Sequence, residues 1–182
     1  MIQNQKLSPH FTLTEMCESQ TAQKHGIANI PSPEAVANLR RLCEGTLEPL
    51  REAIGLPIII TSGFRTKALN DKLAHAASRS QHMEGCAADF YVSSAGSRVQ
   101  GSRVQGASRR ELLIKAFREI LHGSMDSPQG RKIDFDQLIL YPSFIHVSYV
   151  SKERNRRGIL LARSDGKLGY GRITRANAIK IN

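Results

Sequence analysis

The chain has no tryptophan, and phenylalanine and tyrosine together make up 5% of its 182 residues. So few rings give little surface for stacking bases, and no nucleic-acid docking motif is read, so nucleic acid is not the expected partner. Cysteine is scarce too: Cys17, Cys43 and Cys86 are an odd number without C-x-x-C spacing. That excludes a disulfide framework and a thiolate zinc site, and predicts buried, reduced thiols. No apolar run approaches the roughly 20 residues of a membrane helix. The opening residues, MIQNQKLSPHF, lack the basic-then-apolar pattern of a secretory signal. The expectation is a soluble protein, cytoplasmic at synthesis, acting at a cell wall if exported or released.

Acidic residues are also in deficit, 16 against 26 Lys and Arg, for a net charge of +10. From position 150 onward nine basic residues face only Glu153 and Asp165. This C-terminal segment, 150–182, suits an anionic wall polymer or another polyanion, or serves solubility alone. Apolar residues at 40% and charged residues at 23% are globular values. The length fits one domain over 1–182, with a core at about 7–163.

Hydrophobic spacing and caps give the elements. Thr12-Leu13-Thr14-Glu15 has capping-box spacing and predicts a helix ending near His25-Gly26. Ser32-Pro33-Glu34 predicts a long amphipathic helix to Gly55, with Val36, Leu39, Cys43, Leu47 and Leu50 on one stripe. The β-branched run at 57–62 reads as a buried strand. A short helix follows over 66–74, then a strand at 87–92. The five residues Gly96-Ser97-Arg98-Val99-Gln100 repeat at once over 101–105, which reads as an expanded surface loop over about 93–107. Ser108-Arg109-Arg110-Glu111 caps a helix to Gly123. Strands are expected at 135–140 and 144–150, joined by a turn at Tyr141-Pro142-Ser143, with another strand at 159–162 and a turn at Asp165-Gly166. This order predicts an α+β domain, a largely antiparallel sheet with helices on one face.

His82 precedes Asp89 by seven residues, with Gly85 between them. Asp89 falls in an apolar strand, where an unpartnered carboxylate is costly. His146 falls in another apolar strand, and alternation puts it on one face with Phe144 and Ser148. Two imidazoles and a carboxylate suit Zn²⁺, with a position left for a water that ionises near neutral pH. A His–Asp pair that orients strands fits the same spacing. Arg65, directly after the strand at 57–62, suits a developing oxyanion or a substrate carboxylate, and equally a surface ion pair.

Three segments in order, Ser62-Gly63-Phe64-Arg65-Thr66, Ser80-Gln81-His82-Met83-Glu84-Gly85-Cys86-Ala87-Ala88-Asp89 and Phe144-Ile145-His146-Val147-Ser148-Tyr149, resemble the core motifs of the zinc D-Ala-D-Ala carboxypeptidase family, peptidase M15 in type. That family includes D,D-dipeptidases and phage L-alanyl-D-glutamate endopeptidases. The resemblance covers about 7–163. It implies the small helix-flanked sheet shared with the hedgehog signalling domain. It also implies one Zn²⁺ held by His82, Asp89 and His146, with Arg65 polarising the scissile carbonyl and Ser80 and Gln81 at the substrate. The substrate class it implies is the peptidoglycan stem peptide.

The sequence departs from the family in one place. The family carries a general base before the last metal ligand; here Leu140-Tyr141-Pro142-Ser143-Phe144-Ile145 holds no carboxylate, and Tyr141 stands where Glu is expected. A phenol with a pKa of about 10 is a poor base at neutral pH. Asp136 and Glu84 are the nearest carboxylates in sequence. The alternative function is therefore a catalytically weak or inactive zinc-containing wall-binding module.

Overall fold

The computed structural model describes residues 4–74, 76–94, 107–123, 133–162 and 168–169. The repeat at 96–105 and the Asp165-Gly166 turn lie outside them.

The N-terminal region corrects one expectation. Thr12 caps α1 (Leu13–Cys17), its hydroxyl oxygen accepting the Glu15 N–H at 3.2 Å. Glu18 then turns extended, and Ser19 caps α2 (Gln20–Lys24) by accepting the Ala22 N–H at 3.2 Å. Two short capped helices replace the single one expected, because Ser19 supplies a second cap. Ser32 caps α3 (Pro33–Leu42), which runs through a π-helical turn at Cys43–Leu47 into α4 (Glu48–Ile54). The π turn sits next to Pro49, which has no N–H to give the Gly45 carbonyl one turn back. That carbonyl accepts the Asp134 N–H at 3.3 Å, and the Thr46 hydroxyl donates to the Asp134 carbonyl at 2.6 Å. The helix irregularity thus anchors the segment that leads into the third strand.

The remaining elements are β1 (Ile58–Ser62), α5 (Lys67–Asn70), a 3₁₀ turn at Gln81–Glu84, β2 (Ala87–Val92), α6 (Arg109–Gly123), β3 (Gln137–Leu140), β4 (Ile145–Ser148), β5 (Gly158–Ala162) and β6 (Leu168–Gly169). Helix α5 is shorter than the 66–74 expected. The sheet order is β1-β2-β4-β3-β5-β6, and every pair is antiparallel except β3 with β5. The fold is α+β, as the sequence order implied.

Strand β1 is also corrected. It forms the outer edge of the sheet, and only Ile58 is buried, with Ile59 36% exposed and Ile60 packed partly on the core. The Glu15 carboxylate lies near the Ile60 N–H, and the Phe64 N–H just beyond the strand donates to the Met16 carbonyl at 2.7 Å. Helix α1 therefore covers an edge that would otherwise invite strand addition.

Alternation assigns the two faces of the sheet. Ala88, Phe90 and Val92 of β2, Ile145 and Val147 of β4, and Leu138 and Leu140 of β3 join one hydrophobic cluster that runs from Leu7 to Ile159 in sequence. Helices α4 and α6 pack there, with Leu50, Leu113, Phe117 and Ile120 fully buried. Each such side chain contributes roughly 1.5–3 kcal/mol on burial. The intervening residues Asp89, His146, Gln137 and Ile139 face the other way and line a cleft.

Gly85 turns the chain between the 3₁₀ segment and β2 at φ +71, and an added Cβ would lie 2.3 Å from the Ala35 carbonyl oxygen. Gly26 has a similar φ of +62 but open space around it. Gly26→Ala is expected to cost only the backbone term, about 1–2 kcal/mol. Gly85→Ala adds a collision with backbone, for about 2–4 kcal/mol in total. Denaturant melts of the two variants check the contrast, and equal losses would contradict the close approach.

Candidate metal centre and its cleft

Register builds the centre. Asp89 of β2 lies directly opposite His146 of β4, and Ser62 of β1 lies opposite Asp89 on the other side. The β1–β2 ladder is irregular between Ile60 and Ser62, and this bulge redirects the chain into Gly63-Phe64-Arg65. His82 comes from the 3₁₀ turn and is 3% exposed.

Three ligand atoms converge. Asp89 Oδ1 is 2.8 Å from His146 Nδ1 and 3.3 Å from His82 Nε2, and the two ring nitrogens are 3.3 Å apart. Among the described residues this is the group of His, Cys, Asp and Glu able to hold a metal ion. Tetrahedral Zn²⁺ with bonds of about 2.0–2.1 Å places its ligands roughly 3.3 Å apart. Two of the three separations match, and the third is a hydrogen-bond distance that must open by about half an ångström. The donor set therefore fits a zinc ion.

The surroundings prepare these atoms. His82 Nδ1 lies 2.7 Å from the Gly63 carbonyl oxygen. A carbonyl only accepts, so Nδ1 carries the proton and Nε2 presents its lone pair to the cluster. Burial pushes the His82 imidazole below its ordinary pKa despite the opposing pull of Asp89, which favours the neutral, ligating form. Burial alone would raise the Asp89 carboxyl. The electrostatic influence of the adjacent His82 ring and the hydrogen bond from His146 outweigh it and hold the group well below the usual carboxylate range. Arg65 Nη2 donates to Asp89 Oδ2 at 2.8 Å, and its Nε donates to the Ser62 hydroxyl at 2.9 Å. Arg65 is thus not a free surface cation: it fixes the carboxylate and retains three N–H groups for another acceptor.

The centre sits in a cleft of about 1300 Å³, lined also by Arg65, Ser80, Gln81, Asp136 and Tyr141. Tyr141 stacks on Phe144, ring centroids 4.3 Å apart at 13°. Asp136, a candidate base in the sequence, is 1% exposed and saturated. It accepts Arg156 backbone N–H at 2.7 Å, Arg156 Nη2 at 2.5 Å and Gln81 Nε2 at 2.9 Å, with Arg156 Nε also in contact. Burial opposes its ionisation, but these donors hold its pKa below the ordinary value. Such a carboxylate braces the cleft wall and is poorly suited to taking a proton. Arg156 entered the sequence reading only as part of a basic segment. Its partner lies 20 positions away, so no local spacing signals the pair. The neighbouring Arg157 likewise reaches Asp134, at 3.3 Å. Cys17, Cys43 and Cys86 are buried and unpaired, and burial pushes the first two thiols up to about 12.

A buried two-histidine, one-aspartate cluster on the open face of a helix-backed antiparallel sheet defines a metallopeptidase type of site. The sequence matches the Peptidase M15 family over residues 9–124, and the chain belongs to that family. The family consists of zinc-dependent peptidases acting on peptidoglycan-related substrates. The matched stretch contains Arg65, His82 and Asp89, while His146 lies beyond it and joins them only through the fold. No curated protein sequence matches the chain. Among the described residues no helix is long and apolar enough to cross a membrane.

Asp136→Asn is expected to lower stability by about 2 kcal/mol at neutral pH, the scale of hydrogen bonds to a charged group. Because the folded pKa is depressed, the wild-type advantage is present above the unfolded value near 3.9 and fades as pH falls through the lower folded value. Paired melts at pH 7 and in acid check this, and an undiminished difference in strong acid would rule out the ionic contribution.

Proposed function

We propose that the chain is a zinc peptidase that hydrolyses bonds involving D-amino acids in peptidoglycan stem peptides. The convergence of His82 Nε2, Asp89 Oδ1 and His146 Nδ1 within 3.3 Å carries this reading. Those three residues would hold the ion. Bound there, zinc supplies a Lewis acid that brings water within reach of ionisation near pH 7. Arg65 keeps Asp89 oriented through one nitrogen and offers its remaining N–H groups to the oxygen that gains charge as the peptide carbonyl is attacked. Ser80 and Gln81, beside His82 on the cleft wall, hold the substrate backbone. Purified protein is expected to carry one zinc per chain by elemental analysis and to release amines from purified peptidoglycan until chelator is added. A metal-free protein whose wall-lytic activity survives His82→Ala would end the assignment.

A second reading, a catalytically weak or inactive zinc-containing wall-binding module, has its own support. Asp136 is fully engaged by Arg156 and Gln81, and Tyr141 occupies the position where the resembling family places a carboxylate. Loss of a general base typically costs about 10²–10⁴ in rate. Tyr141→Glu is therefore expected to raise amine release by about 10²-fold. An unchanged or lower rate with zinc retained would show that the proton is handled elsewhere. Sedimentation with sacculi and no peptide release over long incubation would favour the binding module.

A further inference from the structure

The cleft is polar and unusually rich in arginine. Arg65, Arg79, Arg154 and Arg156 all line it, against Glu84, Asp89 and Asp136. Two of the four are neutralised in place, Arg65 by Asp89 and Arg156 by Asp136. Arg79 and Arg154 are not: among the described residues neither guanidinium makes a hydrogen bond or ion pair, and both are exposed at the cleft. Glu84 is the one lining carboxylate left to oppose them, so the lining carries a net charge of +1 before any cation binds. A divalent ion at the centre raises that to +3, a field that favours an anionic ligand.

Placement gives this charge a role at the substrate. Arg79 directly precedes Ser80, Gln81 and His82, and Arg154 lies on the segment between β4 and β5 that also carries Arg156. Gln81 joins the two segments: it donates to Asp136 and lies 3.4 Å from Arg156 Nη2. Arg79 and Arg154 line the same cleft as the metal centre, on the two segments that Gln81 links. A carboxylate is the planar acceptor that a guanidinium binds through two parallel hydrogen bonds.

We propose that Arg79 and Arg154 form a carboxylate-binding subsite that selects peptides bearing a free side-chain or α-carboxylate next to the bond that is cut. The inference rests on the peptidase reading above and specifies its substrate: acidic, un-amidated stem peptides over their amidated counterparts.

The test compares one synthetic stem tripeptide, L-Ala-γ-D-Glu-L-Lys, with the same peptide carrying primary amides in place of its carboxylates. Binding to the zinc-loaded full chain is measured by calorimetry, alongside turnover on a longer cleavable version. The free acid is expected to bind about tenfold tighter than the amide, less so at high salt. In the double variant Arg79→Gln, Arg154→Gln the preference is expected to shrink below about twofold, with KM raised and kcat largely kept. The variant also separates the arginines from direct metal–carboxylate contact, which it leaves intact. Equal affinity for acid and amide, or a preference undiminished in the double variant, overturns the subsite. So does a case in which acid and amide bind alike while poly(glycerol phosphate) binds and is lost in the variant, since the arginines then serve a polyanion. If no peptide is cleaved but the binding contrast holds, the peptidase reading fails and the subsite stands.

Discussion

The contact between Asp89 and His146 across β2 and β4 governs the rest of the structure. It is a cross-strand pair in register, so it exists only while Ala88, Phe90, Ile145 and Val147 point into the core. A slip of one residue would bury the carboxylate among those side chains and leave the apolar set in the cleft. Core packing on one face therefore fixes the ligands on the other. The Asp89 side chain is only 13% exposed, and a buried charge of this kind needs several partners. It has them in His82, His146 and Arg65, each delivered by a different element.

The helical layer reaches the same centre by a longer route. Pro49 frees the Gly45 carbonyl, which holds Asp134, and Asp134 leads through Phe135 to Asp136. Asp136 then binds the Arg156 backbone and side chain and the Gln81 amide. The Asp136 carbonyl also accepts the Gly158 N–H at 2.8 Å, just where the parallel β3–β5 pairing begins. An irregular turn in the helix layer is thus tied, through backbone and one carboxylate, to the cleft wall beside His82. Damage to this chain of contacts is expected to loosen the cleft wall at Gln81 before it disturbs Asp89 and His146, whose register is set by β2 and β4.

Much of this was legible in the sequence where the signal is local. Ser32-Pro33, Ser108 with Glu111, and the alternation at 87–92 and 144–150 act within one turn or one strand, and the structure forms elements there. The likeness of three short segments to a known family supplied the ligand set, which spacing alone left open between a metal and a strand-orienting pair. Other features escaped because they depend on what lies across space. Three isoleucines at 58–60 read as a buried strand, but strand order puts them at the edge, where Glu15 and Met16 cover the exposed backbone. Ser19 looked like a helix interior until Glu18 broke the helix before it. The Asp136–Arg156 pair spans 20 positions and a parallel crossover, beyond any periodic reading.

That pair changes how the chain's positive charge is understood. Read along the sequence, the arginines after position 150 look like one solvated basic tail suited to a polymer. In the fold, Arg156 and Arg157 are committed to Asp136 and Asp134, and Arg154 faces the cleft. The same arrangement removes Asp136 from proton transfer, because a carboxylate held by Arg156 and Gln81 gains little from taking a proton. Of the cleft's three lining carboxylates, Asp89 and Asp136 are held by arginine, histidine and glutamine side chains, which leaves Glu84 to oppose Arg79 and Arg154. Glu84 ends the 3₁₀ turn and Tyr141 follows the end of β3, so a carboxylate at position 141 would add a base on the side of the cleft where Asp136 is already committed.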